Sequence, residues 1–404
     1  MHTFHRAIIG LAILTAGLAL GVPCPEASQD HFVIVNDGDW TTNGWTTNYG
    51  TILQLTGSRQ NPTLTKVASL NTGVESFGGG SLPGVQVISI GGQTCIFLQN
   101  TTAYVPNEIS SFKYPGLELV GNYSNSGIAG YSESVFSLVA SGSYLFAFYG
   151  GDWYPAYLAV WQIDSGCALK LLTTYQVSEF PISMAATPNG KTLVMALEDY
   201  AFDSYSIGPN GALTELGPFY EPMLDEEQID ITADSQYVVA AGATGCTPQL
   251  YLYCGVNTFM IAINADGSLG TVSSFENYDS GVGTPVAYSV RLSPDEQFLY
   301  ALGYDLSGAP VVYPLTFSEN PPSMTAACHR ATFNALSDVL YPTITTALPS
   351  GAGGAIYIAE PQAVGVLAVN SSNGCLAEVP SSPFTLSDPL ADANSLISWP
   401  PRPF

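Results

Sequence analysis

The residues of this chain best suited to chemistry are carboxylates and aromatic rings gathered in short polar loops. NDGDWTTNGWTTNYG carries Asp37, Asp39, Trp40, Trp45 and Tyr49, and NTTAYVPNE carries Tyr104 and Glu108. GGDWYPA carries Asp152, Trp153 and Tyr154, and EDY is Glu198, Asp199 and Tyr200. Tyr251 and Tyr253 follow, then Tyr304 with Asp305, then Glu360. None of these loops holds a Lys or Arg. Rings beside carboxylates and amides suit neutral sugars, whose C–H faces stack on aromatics while hydroxyls donate to carboxylates. A ring of carboxylates also suits Ca²⁺, a hard cation that takes several oxygens. No EF-hand or RTX spacing accompanies it, and no other cofactor is expected. The competing reading is a set of solvated acidic loops with the rings packed beneath them. Asp225-Glu226-Glu227 and Asp230 form a further acidic cluster. Such a pair does acid–base work in glycosidases, but such a run is more often a solvated loop.

Other chemistries lack their residues. There is no G-x-S-x-G; Ala140-Ser141-Gly142 falls on a hairpin turn. Beyond residue 27 the only histidines are His31 and His329, and no CxxC pair exists, which excludes a Cys/His zinc site. Gly78-Gly79-Gly80 precedes a strand, not a helix, so no phosphate loop is present. The chain has 404 residues but only 9 Lys or Arg against 33 Asp or Glu, a formal charge of −24. That balance excludes a nucleic-acid binder and disfavours phosphorylated substrates, which want cationic clamps. Hydrophobic residues make up 46% and charged ones 10%, the reverse of a disordered chain.

Residues 1–27 read as a secretory signal, with a basic start at Arg6, an apolar run Ala7–Val22 and small residues Ala19-Leu20-Gly21 for cleavage. The alternatives are a membrane anchor, or a lipoprotein through Cys24, which Pro23 disfavours. The expectation is a secreted or periplasmic monomer with no transmembrane segment after the signal. Its partner is an extracellular ligand or protein. Export permits disulfides. Of seven cysteines, Cys246 and Cys254 are near neighbours and form the candidate bridge.

These loops need a scaffold, and the chain shows one repeated. Short runs of Val, Ile, Tyr, Phe and Leu alternate with Gly, Pro, Asn and Asp, the signature of many short strands. A polar turn before an apolar strand recurs in GGQTCIFLQ at 91, SGSYLFAFY at 141, NGKTLVMAL at 189, DSQYVVAAG at 234, DEQFLYALG at 295 and GGAIYIAE at 353. HFVIVND at 31 is a seventh copy. This period in an all-β chain predicts a seven-bladed β-propeller over residues 28–404, with four antiparallel strands per blade. The first blade lacks its inner strand, and Asn394–Trp399 is a lone strand able to supply it. That closure removes free sheet edges.

The phrases TPNGKTLVMAL…YSIGPNGALTEL and LSPDEQFLYALGYD resemble the lactonase-type, or YVTN-repeat, seven-bladed propellers. The family's S-P-D-G turn appears as Ser293-Pro294-Asp295 and Thr187-Pro188-Asn189-Gly190, and its Y-V-x-N strand end as Phe32–Asn36. The resemblance implies that fold and, for its enzymes, lactone hydrolysis or cyclisation by His, Arg and Glu at the central channel. The family's histidine often stands four residues before the turn serine. Here that position holds Ser183, Gln228 and Ser289. Arg291 shares a strand side with Ser289 by alternation. The enzymatic alternative therefore uses Arg291 as the electrophilic group, with Glu198 or Asp199 as base. The leading expectation is a non-catalytic propeller binding a neutral sugar or partner protein on the aromatic, acidic face.

Overall fold

The computed structural model describes residues 31–39, 46–58, 61–76, 84–100, 108–124, 128, 134–151, 154–177, 181–197, 201–220, 225–244, 255–278, 286–304, 309–333, 344–347, 354–360, 362–386 and 391–399. The expected signal segment and the Cys246–Cys254 pair lie outside these residues. Among the described residues every regular element is a strand, and no helix is long and apolar enough to cross a membrane.

Blade one contains β1 (Phe32–Asp39), β2 (Thr46–Ser58) and β3 (Asn61–Ser76). Blade two is β4 (Val85–Ile90), β5 (Gln93–Asn100), β6 (Glu108–Tyr114) and β7 (Glu118–Ser124). Blade three is β8 (Ser134–Ser141), β9 (Tyr144–Gly151), β10 (Tyr154–Ile163) and β11 (Leu169–Val177). Blade four is β12 (Pro181–Ala186), β13 (Thr192–Leu197), β14 (Ala201–Ile207) and β15 (Leu213–Tyr220). Blade five is β16 (Asp225–Ile231), β17 (Tyr237–Thr244), β18 (Gly255–Ile263) and β19 (Leu269–Tyr278). Blade six is β20 (Val286–Leu292), β21 (Phe298–Tyr304), β22 (Pro310–Glu319) and β23 (Pro322–Ala326), with β24 (Ala331–Thr332) also on β22. Blade seven is β25 (Ile344–Ala347), β26 (Ala355–Glu360), β27 (Ala363–Val369) and β28 (Leu376–Glu378), with β29 (Phe384–Thr385) also on β27. The last strand, β30 (Ala391–Trp399), pairs with β1, Ile34 opposite Ile397, and becomes the inner strand of blade one. The seven-bladed ring and its closure are as the repeats predict.

The second strand of each blade is sandwiched between neighbouring blades, so both its faces are apolar. All six residues of TLVMAL in β13 and of AIYIAE in β26 are buried. A strand covered on both faces reads as a continuous hydrophobic run. Seven apolar clusters result, one at each seam between blades. The seam between blades six and seven, for example, joins Tyr300 and Leu302 to Ile356, Ile358 and Leu367.

In blades three, four, five and seven the turn between third and fourth strands reaches across the seam. Its left-handed position holds Gly211, Gly267 and Gly374 in blades four, five and seven. A Cβ at Gly211 would meet the Tyr144 ring of blade three at 2.7 Å, and one at Gly374 would enter the Phe298 ring of blade six. In blade three the same position is Cys167 (φ 67°), and its side chain crosses the seam to form a disulfide with Cys95 on β5. In blade seven the residue after the glycine, Cys375, bridges to Cys328 of blade six. Two blade-to-blade disulfides therefore grow from one recurring turn.

Candidate functional site

Antiparallel pairing sorts the connections onto two faces. Where second and third strands join, and where each inner strand begins, lies the loop face. Where inner and second strands join lies the turn face. Asp37 and Asp39 pair with Ala393 and Ala391 at the start of β30, which puts them on the loop face. Glu108 opens β6, Tyr154 opens β10, Tyr304 closes β21 and Glu360 closes β26, all at that same end. Asp225 begins β16 there too. The fold thus collects on one face what the sequence scattered over more than 300 residues. Trp40, Trp45, Asp152, Trp153, Glu198, Asp199, Tyr200 and Asp305 lie outside the described residues, as do Tyr104, Tyr251 and Tyr253.

Two loop-face carboxylates are withdrawn from solvent, one fully and one in part. Glu360 has no exposed surface. Its carboxylate lies over Gly365 on β27, where any Cβ would collide with it. Burial pushes the Glu108 carboxyl above its ordinary range.

Behind this face the inner strands carry a polar belt, the waist of the ring. Five inner strands carry one extra residue at the same point, opposite the fifth residue of the second strand. The extra residues are Phe136, Ile182, Glu227, Tyr288 and Asn394. Each bulge re-aims the residue that follows: Ser137, Ser183, Gln228, Ser289 and Ser395, all fully buried or nearly so. Four of these side chains, Ser183, Gln228, Ser289 and Ser395, stitch blade to blade. Ser289 Oγ donates to Gln228 Oε1. Ile229 N–H donates to Ser183 Oγ at 3.4 Å, and Gly84 N–H to Ser395 Oγ at 2.9 Å. Asn36 Nδ2 donates to the Gln99 carbonyl at 3.1 Å. The position where the lactonase-type enzymes often carry histidine is thus built from serines and an amide held in structural bonds. The bulge was not legible in the sequence, because an inserted residue in a short strand leaves no composition signal.

Below the waist the channel opens on the turn face as a cavity of about 390 Å³. Arg291 and Asp230 line it, with Gln86, Trp399 and an apolar wall. Arg291 Nη1 donates to the carbonyls of Ile229 (3.0 Å) and Val290 (3.1 Å). Asp230 accepts the N–H of Ile231 at 2.9 Å and of Leu292 at 3.0 Å. Arg291 thus faces the turn end of the channel, whereas β13, after which Glu198 and Asp199 come, ends at the loop end. The inner strands β12 and β20 are six and seven residues long, so these ends stand on the order of 20 Å apart.

On the turn face the seams are held by side chains at left-handed positions. Ser235 Oγ (φ 65°) accepts Asn189 N–H, and Glu296 (φ 53°) accepts Ala233 N–H at 2.7 Å. Glu319 meets both Asp234 and Glu296 there. Its own burial, then those two carboxylates, push its pKa up to about 7. Among the described residues no three His, Cys, Asp or Glu are arranged to share a metal ion.

No protein-family model and no curated protein matches the chain in sequence. Solved structures match it in shape. A candidate 6-phosphogluconolactonase of Bacteroides fragilis is 14% identical with a TM-score of 0.66, over 93% of this chain and 99% of that one. A Lactobacillus plantarum protein gives 12% and 0.64 over 92% and 99%. The periplasmic gluconolactonase of Pseudomonas aeruginosa gives 13% and 0.64 over 89% and 97%. The chain is a seven-bladed propeller with the fold of the lactonase-type proteins.

Proposed function

We propose that this is an exported, non-catalytic propeller that binds an extracellular ligand on its loop face, with a neutral sugar as the leading occupant and a partner protein as the other. The observation that carries the non-catalytic reading is the waist. Ser183, Gln228 and Ser289 are buried there and bonded across the seams, so they offer no general base to a substrate. The ligand face is supported by the convergence of Asp37, Asp39, Glu108, Tyr154 and Tyr304; Glu360 is buried beneath that face and does not reach a ligand. The two blade-to-blade disulfides favour an oxidising compartment outside the cytoplasm. Glycan-array binding of the purified protein tests the proposal. Binding lost on Trp40→Ala or Trp153→Ala supports the sugar reading; no glycan bound removes it. Calcium is a subsidiary proposal, supported if a chelator abolishes the same binding.

The second reading is a lactonase-type enzyme, favoured by the descriptions of two of the structural neighbours. It would use Arg291 at the turn-face mouth, because β13 carries the chain into Glu198 and Asp199 at the opposite end of the channel. A panel of lactones assayed against Arg291→Ala decides it: unchanged hydrolysis, or none by the native protein, removes the proposal.

A further inference from the structure

We infer that the Cys328–Cys375 disulfide is a site of thiol–disulfide exchange in the folded protein, open to a small thiol such as glutathione, whereas Cys95–Cys167 is closed to it. The two bridges grow from the same kind of turn and each joins neighbouring blades, yet their surroundings differ. Cys95 and Cys167 have no exposed surface and pack among Phe97, Leu138, Leu145 and Trp161. Cys95 sits inside β5, paired with Ile88 of β4 on one side and Lys113 of β6 on the other. A thiol reaches those sulfurs only when the seam between blades two and three opens. Cys328 and Cys375 are half-buried, and both lie in connections between strands. Exposed residues stand close by in the chain: His329 and Arg330 follow Cys328, and Ser372 and Asn373 precede Cys375.

The exchange proceeds in two displacements. A thiolate attacks one sulfur of the bridge and forms a mixed disulfide with it. The Cys328–Cys375 bond breaks, and its electron pair leaves on the other cysteine sulfur, which takes up a proton. A second small thiol then displaces the first, leaving two cysteine thiols and the oxidised dimer of the small thiol. Two electrons have passed from the two small thiols to the bridge. The rate depends on access to the sulfur under attack, and access is what separates the two bridges. The opened protein keeps its packing. Tyr300, Leu302, Ile356, Ile358 and Leu367 still hold blade six to blade seven. Opening the bridge releases the connection 327–330 and leaves that seam closed. The exchange is therefore a local event at the outer rim of the ring, and it does not rest on which ligand the loop face takes.

Timed incubation of the oxidised native protein with reduced glutathione, followed by alkylation of free thiols and peptide mass spectrometry, tests this. The expected result is opening of Cys328–Cys375, with glutathione adducts on its cysteines, about tenfold or more faster than opening of Cys95–Cys167. Urea below the unfolding transition separates the two routes. It should leave the rate at Cys328–Cys375 nearly constant and raise the rate at Cys95–Cys167 steeply, because exchange that waits for unfolding follows the stability. Circular dichroism of protein opened only at Cys328–Cys375 should match that of the oxidised protein. Equal rates, Cys95–Cys167 opening first, or neither bridge opening in native buffer overturns the proposal. So does a rate at Cys328–Cys375 that climbs with urea as steeply as the other, or a loss of strand signal when that bridge opens. Every readout is on the sulfurs or the fold, so the result is independent of glycan binding.

Discussion

The two faces of this ring are made from the same repeat yet carry different burdens. On the turn face the connections are short and alike: Thr187-Pro188-Asn189-Gly190, Thr232-Ala233-Asp234-Ser235 and Ser293-Pro294-Asp295-Glu296 each cap an inner strand and bond to the neighbouring blade. On the loop face the connections differ from blade to blade in length and composition, and they hold the Trp, Tyr, Asp and Glu residues of the candidate site. The turn face has to repeat because every seam needs the same geometry. The loop face is free to vary because its strands are already fixed behind it, and recognition residues collect where a rigid scaffold presents variable loops. The difference predicts that turn-face changes cost stability, and loop-face changes cost binding.

The largest loss is expected from the blade-to-blade disulfides. Cys95→Ser with Cys167→Ser opens a 72-residue loop, and Cys328→Ser with Cys375→Ser a 47-residue loop. Each should lose about 4 kcal/mol on the chain-entropy account, seen as a lower denaturant midpoint. Equal midpoints with and without reductant would break the assignment of stability to this turn. Gly374→Ala comes next. It forces an L side chain to φ 72° and drives its methyl into Phe298, at a cost of about 1–3 kcal/mol. Gly73→Ala is the matched control, with φ 69° but nothing within 4 Å. It should cost less, and the difference between the two measures the seam contact alone.

A smaller, pH-dependent effect is expected at Glu319. Its carboxyl has a folded pKa of about 7 against an ordinary value of 4.5, so between those values the folded chain holds a proton that the unfolded chain releases. The resulting stabilisation is full below about pH 4.5 and is lost as pH rises through about 7. Glu319→Gln should flatten that part of a melting-temperature profile and raise stability at pH 8. An identical slope in the variant would contradict the carboxylate contact with Asp234 and Glu296. The smallest effect on stability is expected at the loop face: Trp153→Ala should shift folding free energy by no more than about 0.5 kcal/mol.

The repeat was legible because its cause is local. A strand covered on both faces must be apolar throughout, and its turn must supply a left-handed residue, so TLVMAL and NG announce themselves wherever they occur. Ring closure was legible from a missing inner strand and a spare one. The disulfides were not. Cys95 and Cys167 become neighbours only when blades two and three are set side by side, although Cys167 and Cys375 both follow a glycine in the same kind of turn. Nor was the side on which Arg291 works legible. Alternation placed it on a channel strand, but only the pairing of β20 with β21 shows that it points to the mouth opposite the loops. The loop-face residues were legible one by one, from residue type. Their convergence needed the register of the strands behind them.

The most direct test of the division between faces is a glycan-array measurement on the native protein, Trp153→Ala and Cys95→Ser/Cys167→Ser, with folding free energy measured on the same samples. The expected result is glycan binding by the native protein, binding lost at unchanged stability in Trp153→Ala, and binding kept at reduced stability in the folded double-serine variant. Binding kept in Trp153→Ala and lost in the folded double-serine variant would contradict the account.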